Sequence, residues 1–243
     1  MPSFYTPNLT ENTKNLTITD EEFHHISHVF RRKVGDEILL TNGAGILAEA
    51  RITEIQKKQL STEIFRISKK KKSTPEIAAA FPLLKNKHDA FIIEKLTELG
   101  IKEFYPIITD RTVRQASKNT VEKFEKIAIA AMKQCDNAYL PKIHKVQNLT
   151  ELLDDPADYQ PIVALEIGKH KTLKSILTEF SGKSICFIIG PEGGFSDKEI
   201  ELFKEKKIPT FTLGNHILRA ETAAIAVAAQ IVGNLLENDR DYY

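Results

Sequence analysis

The sequence predicts an α/β domain that follows a small β-barrel. Up to residue 72 the apolar residues fall in short β-branched and aliphatic runs. From residue 73 onward such runs alternate with segments of helical periodicity. That alternation is typical of a mainly parallel sheet covered by helices on both faces. We therefore expect two domains, residues 1–72 and 73–243.

The first 72 residues predict several short strands and one helix, the pattern of a small barrel. The runs EILLTN and GILAEARITEI are separated by Asn42-Gly43, a strong hairpin signal, and LSTEIFRIS follows. In DEEFHHISHVFR, Phe23, Ile26 and Val29-Phe30 lie at helical spacing. Thr19 or Asp20 is positioned to cap the start of this helix.

The second part predicts five strands and five helices in alternation. The strands are IAAAFPLL, EFYPIIT, PIVALEI, SICFIIG and IPTFTLG, and the helices are DAFIIEKLTELG, NTVEKFEKIAIAAMKQC, TLKSILTEF, SDKEIELFKEK and ETAAIAVAAQIVGNLLEN. Ligands of open parallel sheets bind at the carboxyl ends of strands. Two glycine-bearing segments, IIGPEGG and TLGNHILR, fall at such ends.

The segment PEGG predicts a rigid turn lined by backbone. Gly193-Gly194 permit a positive φ or the close approach of a ligand to the main chain. Ser196 and Glu199 form a capping-box pattern that starts a helix. The segment matches neither the dinucleotide nor the P-loop pattern, and the carboxylate of Glu192 would repel a phosphate. A tight turn without a ligand is the alternative.

The second segment, LGNHILRAETAA, leads into the last helix. Arg219 precedes this helix and Glu221 opens it. Both residues also have purely structural explanations. A carboxylate in the first turn interacts favourably with the helix dipole, and an arginine can form a surface ion pair. The helix is apolar nearly all round, so it must be buried on more than one side, in the core or in a dimer interface.

Charge and composition limit the other classes of function. A net charge of +1 does not by itself indicate that the whole protein binds nucleic acid. The basic clusters Arg31-Arg32-Lys33 and 69–72 could neutralise phosphates or simply form a solvated surface. His24, His25 and His28 lack the HExxH pattern, and no cysteine lies near them, so we predict no metal.

No apolar run is long enough for a transmembrane helix, and the first residues lack the apolar core of a signal peptide. With only two cysteines in the chain, we expect a cytoplasmic protein without disulfides and without a membrane partner.

The pair IGPEGGFSDKEI and LGNHILRAETAAIAVAAQI resembles the 16S rRNA (uracil-N3)-methyltransferase family of the SPOUT superfamily. The likeness extends upstream through LLK, which ends at Lys85, then EKLTELGI, DRT at Arg111 and KIAIAAMKQC. HHISHVFRRKVGDEI resembles the RNA-binding PUA-like barrel of the same family. The resemblance covers nearly the whole chain.

The resemblance implies an S-adenosylmethionine-binding domain with a C-terminal trefoil knot, and a homodimer formed through that domain. It implies methylation of N3 of one uridine near the 3′ end of 16S rRNA, in the small ribosomal subunit. The cofactor contacts that it implies are Leu165, Gly190, Pro191, Glu192, Gly193, Gly194, Leu213, Gly214, Ile217, Leu218 and Arg219. The implied RNA contacts are His25, Arg31, Arg32, Lys85 and Arg111.

Methylation of uridine N3 requires removal of a proton whose pKa is roughly 9 to 10, near that of a phenol. We expect Arg219 to supply the cation, at the forming anion or at a substrate phosphate, and Glu221 to be the base, with Glu192 second. The family often has an arginine in a Q-x-x-R pattern where this chain has Asp136-Asn137. Its role is then absent or taken by Lys133 or Lys142.

Two other functions stay open from the sequence. One is a SPOUT methyltransferase that acts on another RNA, such as the ribose 2′-O position of tRNA. The other is a non-catalytic RNA-binding assembly factor that has kept the fold.

Overall fold

A computed structural model describes residues 3–166 and 171–238 of the chain. The outer ends of the two predicted domains, residues 1–2 and 239–243, lie outside the described residues. So does Ile167, the last residue of the predicted strand PIVALEI.

The chain divides into two compact units. The first comprises Met1–Lys72 together with Ile129–Leu140, and the second comprises Ser73–Ala128 together with Pro141–Tyr243. The segment Ile129–Leu140 groups with the first unit, which the sequence pattern does not predict.

The first unit contains a five-stranded sheet. Its strands are β1 (Ser3–Tyr5), β2 (Asn15–Thr19), β3 (Glu37–Thr41), β4 (Ile46–Ile55) and β5 (Gln59–Lys69). The order is β1-β3-β4-β5-β2, with β1 parallel to β3 and every other pair antiparallel. The predicted hairpin is confirmed as β3 and β4. Strands β1 and β2, of three and five residues, are too short for their sequence to have indicated them.

A short helical segment follows β2. The helix α1 (Asp20–His24) continues into a π-helical turn, His25–Val29. Phe23 and Ile26 are buried in the core of the first unit, as their spacing predicts, whereas Val29 and Phe30 of the same predicted face are exposed. The Thr19 hydroxyl makes no capping bond to the helix backbone and donates instead to the Asp20 carboxylate, at 2.8 Å.

The second unit is a parallel sheet with helices. Its strands are β6 (Ile77–Pro82), β7 (Glu103–Ile108), β8 (Lys142–Ile143), β9 (Gln147–Asn148), β10 (Gln160–Ala164), β11 (Ile185–Ile188) and β12 (Thr210–Phe211). The order is β12-β10-β11-β6-β7-β8, with β9 also beside β7, and all pairs are parallel. This confirms the predicted α/β class.

The helices of the chain after α1 include all five that the sequence predicts. They are α2 (His88–Glu98), α3 (Thr120–Gln134), α4 (Leu149–Asp154), α5 (Leu173–Glu179), α6 (Asp197–Glu205) and α7 (Ala220–Asn238). Only α4 was not predicted. Helix α3 begins in the second unit, and its last residues group with the first.

Burial explains the strongest sequence signals. All six residues of β6 and all four of β11 are buried, as expected for central strands covered on both faces. In α7 the buried residues form one stripe, Ala220, Ala224, Val227, Ala228 and Ile231, at helical spacing. The other residues of the helix up to Leu236 are only partly buried or exposed in the single chain, so burial on more than one side is not observed for them. The trefoil knot and the dimer interface stay predictions.

Within residues 3–166 and 171–238, none of the helices combines the length and the apolar character that crossing a membrane requires.

Candidate functional site

A cavity lies at the carboxyl ends of three neighbouring strands of the second unit, β12, β10 and β11. Because parallel strands end at the same edge of a sheet, segments far apart in sequence meet there. The lining residues are Ala164, Leu165, Glu166, Ile189, Gly190, Pro191, Glu192, Thr212, Leu213, His216, Ile217, Leu218, Arg219, Ala220 and Ala223. Both glycine-bearing segments that the sequence singles out therefore contribute to one site.

The segment after β11 folds into a tight turn that favours glycine at two positions. Gly194 has a φ of +67°, and its N–H donates to the Pro191 carbonyl at 2.9 Å. A Cβ at Gly190 would lie 3.0 Å from the ring of Phe195. That ring is buried and packs perpendicular to the ring of Phe203, with 5.0 Å between the ring centroids. The backbone of the turn can therefore line the cavity.

The predicted capping box is confirmed at the start of α6. The Ser196 hydroxyl accepts from the Glu199 N–H at 3.2 Å, and the Glu199 carboxylate accepts from the Ser196 N–H at 2.7 Å. The other carboxylate oxygen of Glu199 accepts from the Asp110 N–H at 2.9 Å. The Ser196 hydroxyl also donates to the Asp110 carboxylate at 2.5 Å. These bonds tie the start of α6 to the loop after β7.

Arg111, which the sequence predicts as an RNA contact, lies next in the same loop. Its Nη1 donates to the carbonyl of Gly193 at 2.7 Å, so its guanidinium holds the tip of the PEGG turn. The side chain is largely exposed. The structure thus gives Arg111 a contact to the turn whose residues Gly190–Glu192 line the cavity, which its sequence position did not reveal.

Eight of the predicted cofactor contacts line the cavity. They are Leu165, Gly190, Pro191, Glu192, Leu213, Ile217, Leu218 and Arg219. Gly193, Gly194 and Gly214 do not line it. A Cβ at Gly194 would lie 3.6 Å from the Glu166 carboxylate, and the Gly214 carbonyl accepts from the Thr212 hydroxyl at 3.1 Å. These three glycines shape the loops, and their roles as contacts stay predictions.

Seven lining residues were missed from the sequence. They are Ala164, Glu166, Ile189, Thr212, His216, Ala220 and Ala223. Glu166 and His216 matter most, because with Glu192 and Arg219 they bring two carboxylates, an imidazole and a guanidinium to one cavity. Glu166 lies near the carboxyl end of the predicted strand PIVALEI, and His216 lies within the segment LGNHILR, so both are near the strand ends where ligands were expected.

Glu221, the first candidate base, does not line the cavity. Its carboxylate lies 3.1 Å from Nδ1 of His88, the first residue of α2, and only 14% of its side chain is exposed. Ala220 and Ala223 present a different face of α7 to the cavity. Of the two residues predicted to carry the chemistry, only Arg219 lies at the cavity.

Lys85 is exposed in the second unit, at the start of a short 3₁₀ turn, Lys85–Lys87. Asn86 and Lys87 both have left-handed backbone conformations, with φ of 54° and 63°. Further along, Arg114 forms an ion pair with the buried Asp89 of α2. Lys85 as an RNA contact stays a prediction.

The other predicted RNA contacts lie in the first unit. Arg31 is exposed and has a φ of 53°, whereas the Arg32 side chain is partly buried. His25 lies beside Lys133, with 3.3 Å between Nδ1 and Nζ. The Lys133 ammonium also lies 2.5 Å from the Glu22 carboxylate, and Lys133 is 8% exposed. Lys133 is therefore committed to an internal ion pair and is a poor replacement for the family arginine, which leaves Lys142.

No group of three His, Cys, Asp or Glu residues suitable for a metal ion occurs within the part of the chain that the structure describes.

Comparison with known proteins shows clear similarity. The sequence model of an RNA methyltransferase domain matches residues 70–232, and that of an RNA methyltransferase PUA domain matches residues 18–65. Ribosomal RNA small subunit methyltransferase E of Rickettsia conorii is 32% identical, over 92% of this chain and 91% of that protein. The Bacillus subtilis protein of the same name is 30% identical, over 91% of each chain.

The fold is also similar to that of solved structures. The crystal structure of a ribosomal RNA small subunit methyltransferase E from Neisseria gonorrhoeae bound to S-adenosyl methionine superposes with a TM-score of 0.88. The two sequences are 26% identical, and the match covers 96% of this chain and 98% of that one.

Proposed function

The chain belongs to the RNA methyltransferase family that contains ribosomal RNA small subunit methyltransferase E, and from this we propose its reaction. It transfers a methyl group from S-adenosylmethionine to N3 of a uridine near the 3′ end of 16S rRNA. Its family matches confirm the predicted pairing of a PUA-like domain with a methyltransferase domain.

The observation that carries the proposal is the composition of the cavity. Apolar side chains and glycine-turn backbone suit an adenosine, which needs apolar contact and a few backbone hydrogen bonds. The carboxylates of Glu166 and Glu192 complement the positive sulfonium of the cofactor and would repel the phosphates of a nucleotide. The residues present therefore fit S-adenosylmethionine.

The cavity would enclose only part of S-adenosylmethionine. Its volume is about 220 Å³, below the roughly 300–1,000 Å³ of typical small-molecule pockets. A ligand as large as S-adenosylmethionine would extend beyond it, so one end stays accessible to the RNA. We assign the backbone of Gly190–Glu192 and of Leu213–Leu218 to the bound part.

The cofactor supplies an electrophilic methyl group, and the chain must deal with the proton on uridine N3. We propose Glu192 as the carboxylate that accepts this proton, because Glu192 lines the cavity while Glu221 is paired with His88. Arg219, also in the cavity wall, stabilises the negative charge that develops on the uracil ring or binds a substrate phosphate.

We propose that the substrate is the RNA of the small ribosomal subunit and that the enzyme is a homodimer. The PUA match and the rRNA-methylating names of the relatives support the first statement. The homodimer is supported by apolar residues of α7 that are only partly buried in the single chain: Ile225, Val232, Leu235 and Leu236. A small-subunit substrate also supports the cytoplasmic location that the sequence predicts.

The two alternatives are separable by binding and transfer. Calorimetric titration with S-adenosylmethionine should detect binding, which a non-catalytic assembly factor would lack. Labelled cofactor should transfer its methyl group to unmodified small subunits and not to tRNA. Label in tRNA alone would favour the ribose-methylating alternative, and absence of both binding and transfer would overturn the proposal. The variant Arg219→Ala, which truncates a side chain of the cavity wall, serves as a control in both measurements.

A further inference from the structure

The first unit exposes apolar and aromatic side chains beside its basic cluster. Val29, Phe30 and Val34 are 58%, 40% and 57% exposed, although apolar residues of this size are usually buried. Arg31 and Lys33 lie between them in sequence and are also exposed. We refer to Val29, Phe30, Arg31, Lys33 and Val34 as the basic-aromatic patch.

The backbone of the patch is held in place by hydrogen bonds. The Phe30 N–H donates to the His25 carbonyl at 2.9 Å, which closes the π-helical turn. The Lys33 N–H donates to the Asp36 carboxylate at 2.9 Å. Arg31, between them, has the left-handed φ of 53°, which an arginine adopts only when its surroundings impose it. The backbone that carries these exposed side chains is therefore held by the fold.

Phe30 offers a fixed ring with a free face. It packs perpendicular to the buried Phe4, with 5.4 Å between ring centroids and 88° between ring planes. In a perpendicular pair, one ring contacts the other with its edge. Phe4 can therefore cover at most one face of the Phe30 ring. A ring that is already fixed loses little conformational entropy when a ligand stacks on it.

The charge of the patch is not compensated within the unit. No carboxylate forms an ion pair with Arg31 or Lys33 among the residues that the structure describes. Elsewhere in the first unit, Arg51 pairs with Glu37 and Arg66 pairs with Glu49. A partly exposed aromatic ring with unpaired cations close by in sequence is a combination suited to single-stranded nucleic acid.

We propose that the basic-aromatic patch is a stacking site for an unpaired RNA base, with the base on Phe30 and neighbouring phosphates on Arg31 and Lys33. This inference rests on the proposed function, which requires an RNA substrate, and it specifies single-stranded over duplex RNA. A second copy of the chain is a less suitable occupant, because a symmetric contact through the patch would bring its own cations together.

The test measures the affinity of full-length protein for a labelled single-stranded oligouridine RNA and for a duplex RNA of equal length. Phe30→Leu keeps the apolar bulk and removes the ring, and Phe30→Tyr keeps the ring. Phe65→Leu is the matched control, because Phe65 is 49% exposed in the same unit but lies under Arg51, which is paired with Glu37.

Phe30→Leu should weaken binding of the single strand about 5- to 150-fold, as expected for loss of one base stack, and leave the duplex unchanged. Phe30→Tyr and Phe65→Leu should bind like the wild type. Arg31→Ala should lower the slope of log affinity against log salt by about 1, whereas Phe30→Leu should leave that slope unchanged.

The inference is overturned if the wild type does not bind the single strand. It is also overturned if Phe30→Leu binds the single strand like the wild type, or if its affinities for single strand and duplex fall equally. A change in sedimentation of Phe30→Leu with unchanged RNA affinity would assign the patch to self-association instead. The proposed function fails separately, if wild type transfers no methyl group to small subunits whatever Phe30→Leu does to RNA affinity.

Discussion

Nδ1 of His88 lies 3.1 Å from Oε1 of Glu221, so the carboxylate that opens α7 is directed at the first residue of α2. The two helices pack together at this point, and Glu221 has a structural role that its sequence position allowed but did not specify. Glu192, in contrast, lines the cavity and is largely exposed. The two carboxylates are therefore distinguishable by experiment.

Glu192→Gln should lower the single-turnover rate of methyl transfer about 10²- to 10⁴-fold, because it removes the proton acceptor. Glu221→Gln should change that rate much less, because the His88 pair is away from the cavity. Glu221→Gln should keep cofactor affinity near that of wild type, as measured by calorimetry. Because Glu192 lines the cavity, the rate of Glu192→Gln is measured at saturating cofactor, which separates loss of the proton acceptor from loss of affinity. The opposite ranking of the two rates would return the base role to Glu221.

Gly190→Ala should destabilise the protein by about 1–3 kcal/mol, because the added methyl group overpacks against the Phe195 ring, 3.0 Å away. Urea unfolding measures this cost. The cost should be smaller in a Phe195→Leu background, where the ring is absent, and a double-mutant cycle gives the coupling. Equal costs in the two backgrounds would show that Gly190 and Phe195 do not compete for space.

Arg111→Ala should weaken cofactor binding about fivefold, because the hydrogen bond to the Gly193 carbonyl is worth about 1 kcal/mol at an exposed position. The salt dependence of RNA binding should stay unchanged. If Arg111 contacts RNA phosphate, as the sequence predicts, the salt slope falls by about 1 and cofactor affinity is unaltered. Calorimetry and RNA titrations on the same variant decide between the two roles.

The stability of the second unit should depend on the ionisation of Glu103. His144 Nε2 and the Tyr105 hydroxyl lie 2.6 Å and 2.9 Å from its Oε2. The hydrogen bond with His144 holds the pKa of Glu103 below its ordinary value of 4.5. Burial raises the pKa of Tyr105, which therefore stays a donor. A lowered folded-state pKa stabilises the protein above pH 4.5, and this stabilisation is lost as the pH falls through the folded-state value.

Glu103→Gln should therefore be less stable than wild type at neutral pH, by about 1–3 kcal/mol, and the difference should shrink as the pH falls below 4.5. Urea midpoints of the two proteins across this range measure it. A difference that does not change with pH would show that ionisation of Glu103 contributes nothing to stability.

Local sequence signals predicted most of the second unit. Two of these signals depend only on residues that are adjacent in sequence: the capping box at Ser196 and Glu199, and the glycines of the PEGG turn. Both features occur in the structure where the sequence predicts them. The buried runs of β6 and β11 were likewise readable, because central parallel strands are apolar at nearly every position. Strand order then places the turn after β11 and the loop after β12 on either side of the loop after β10.

Features that depend on distant pairs were not predictable. Lys133 has no local signal for its pairing with Glu22, which lies 111 residues away in sequence. The π-helical turn at His25–Val29 places its apolar residues at nearly helical spacing, so periodicity does not separate it from an α-helix. Glu166 enters the cavity because the loops after three strands converge, and no motif marks it.

The most direct test of the account uses purified protein, S-adenosylmethionine and small ribosomal subunits that lack the modification, followed by primer extension along the product RNA. A methyl group at N3 blocks the pairing edge of uracil, so reverse transcriptase should stop beside one uridine near the 3′ end of 16S rRNA. Glu192→Gln under the same conditions should give a much weaker stop. Methyl incorporation into 16S rRNA without that stop would contradict the proposed N3 chemistry, and absence of incorporation would contradict the proposed function itself.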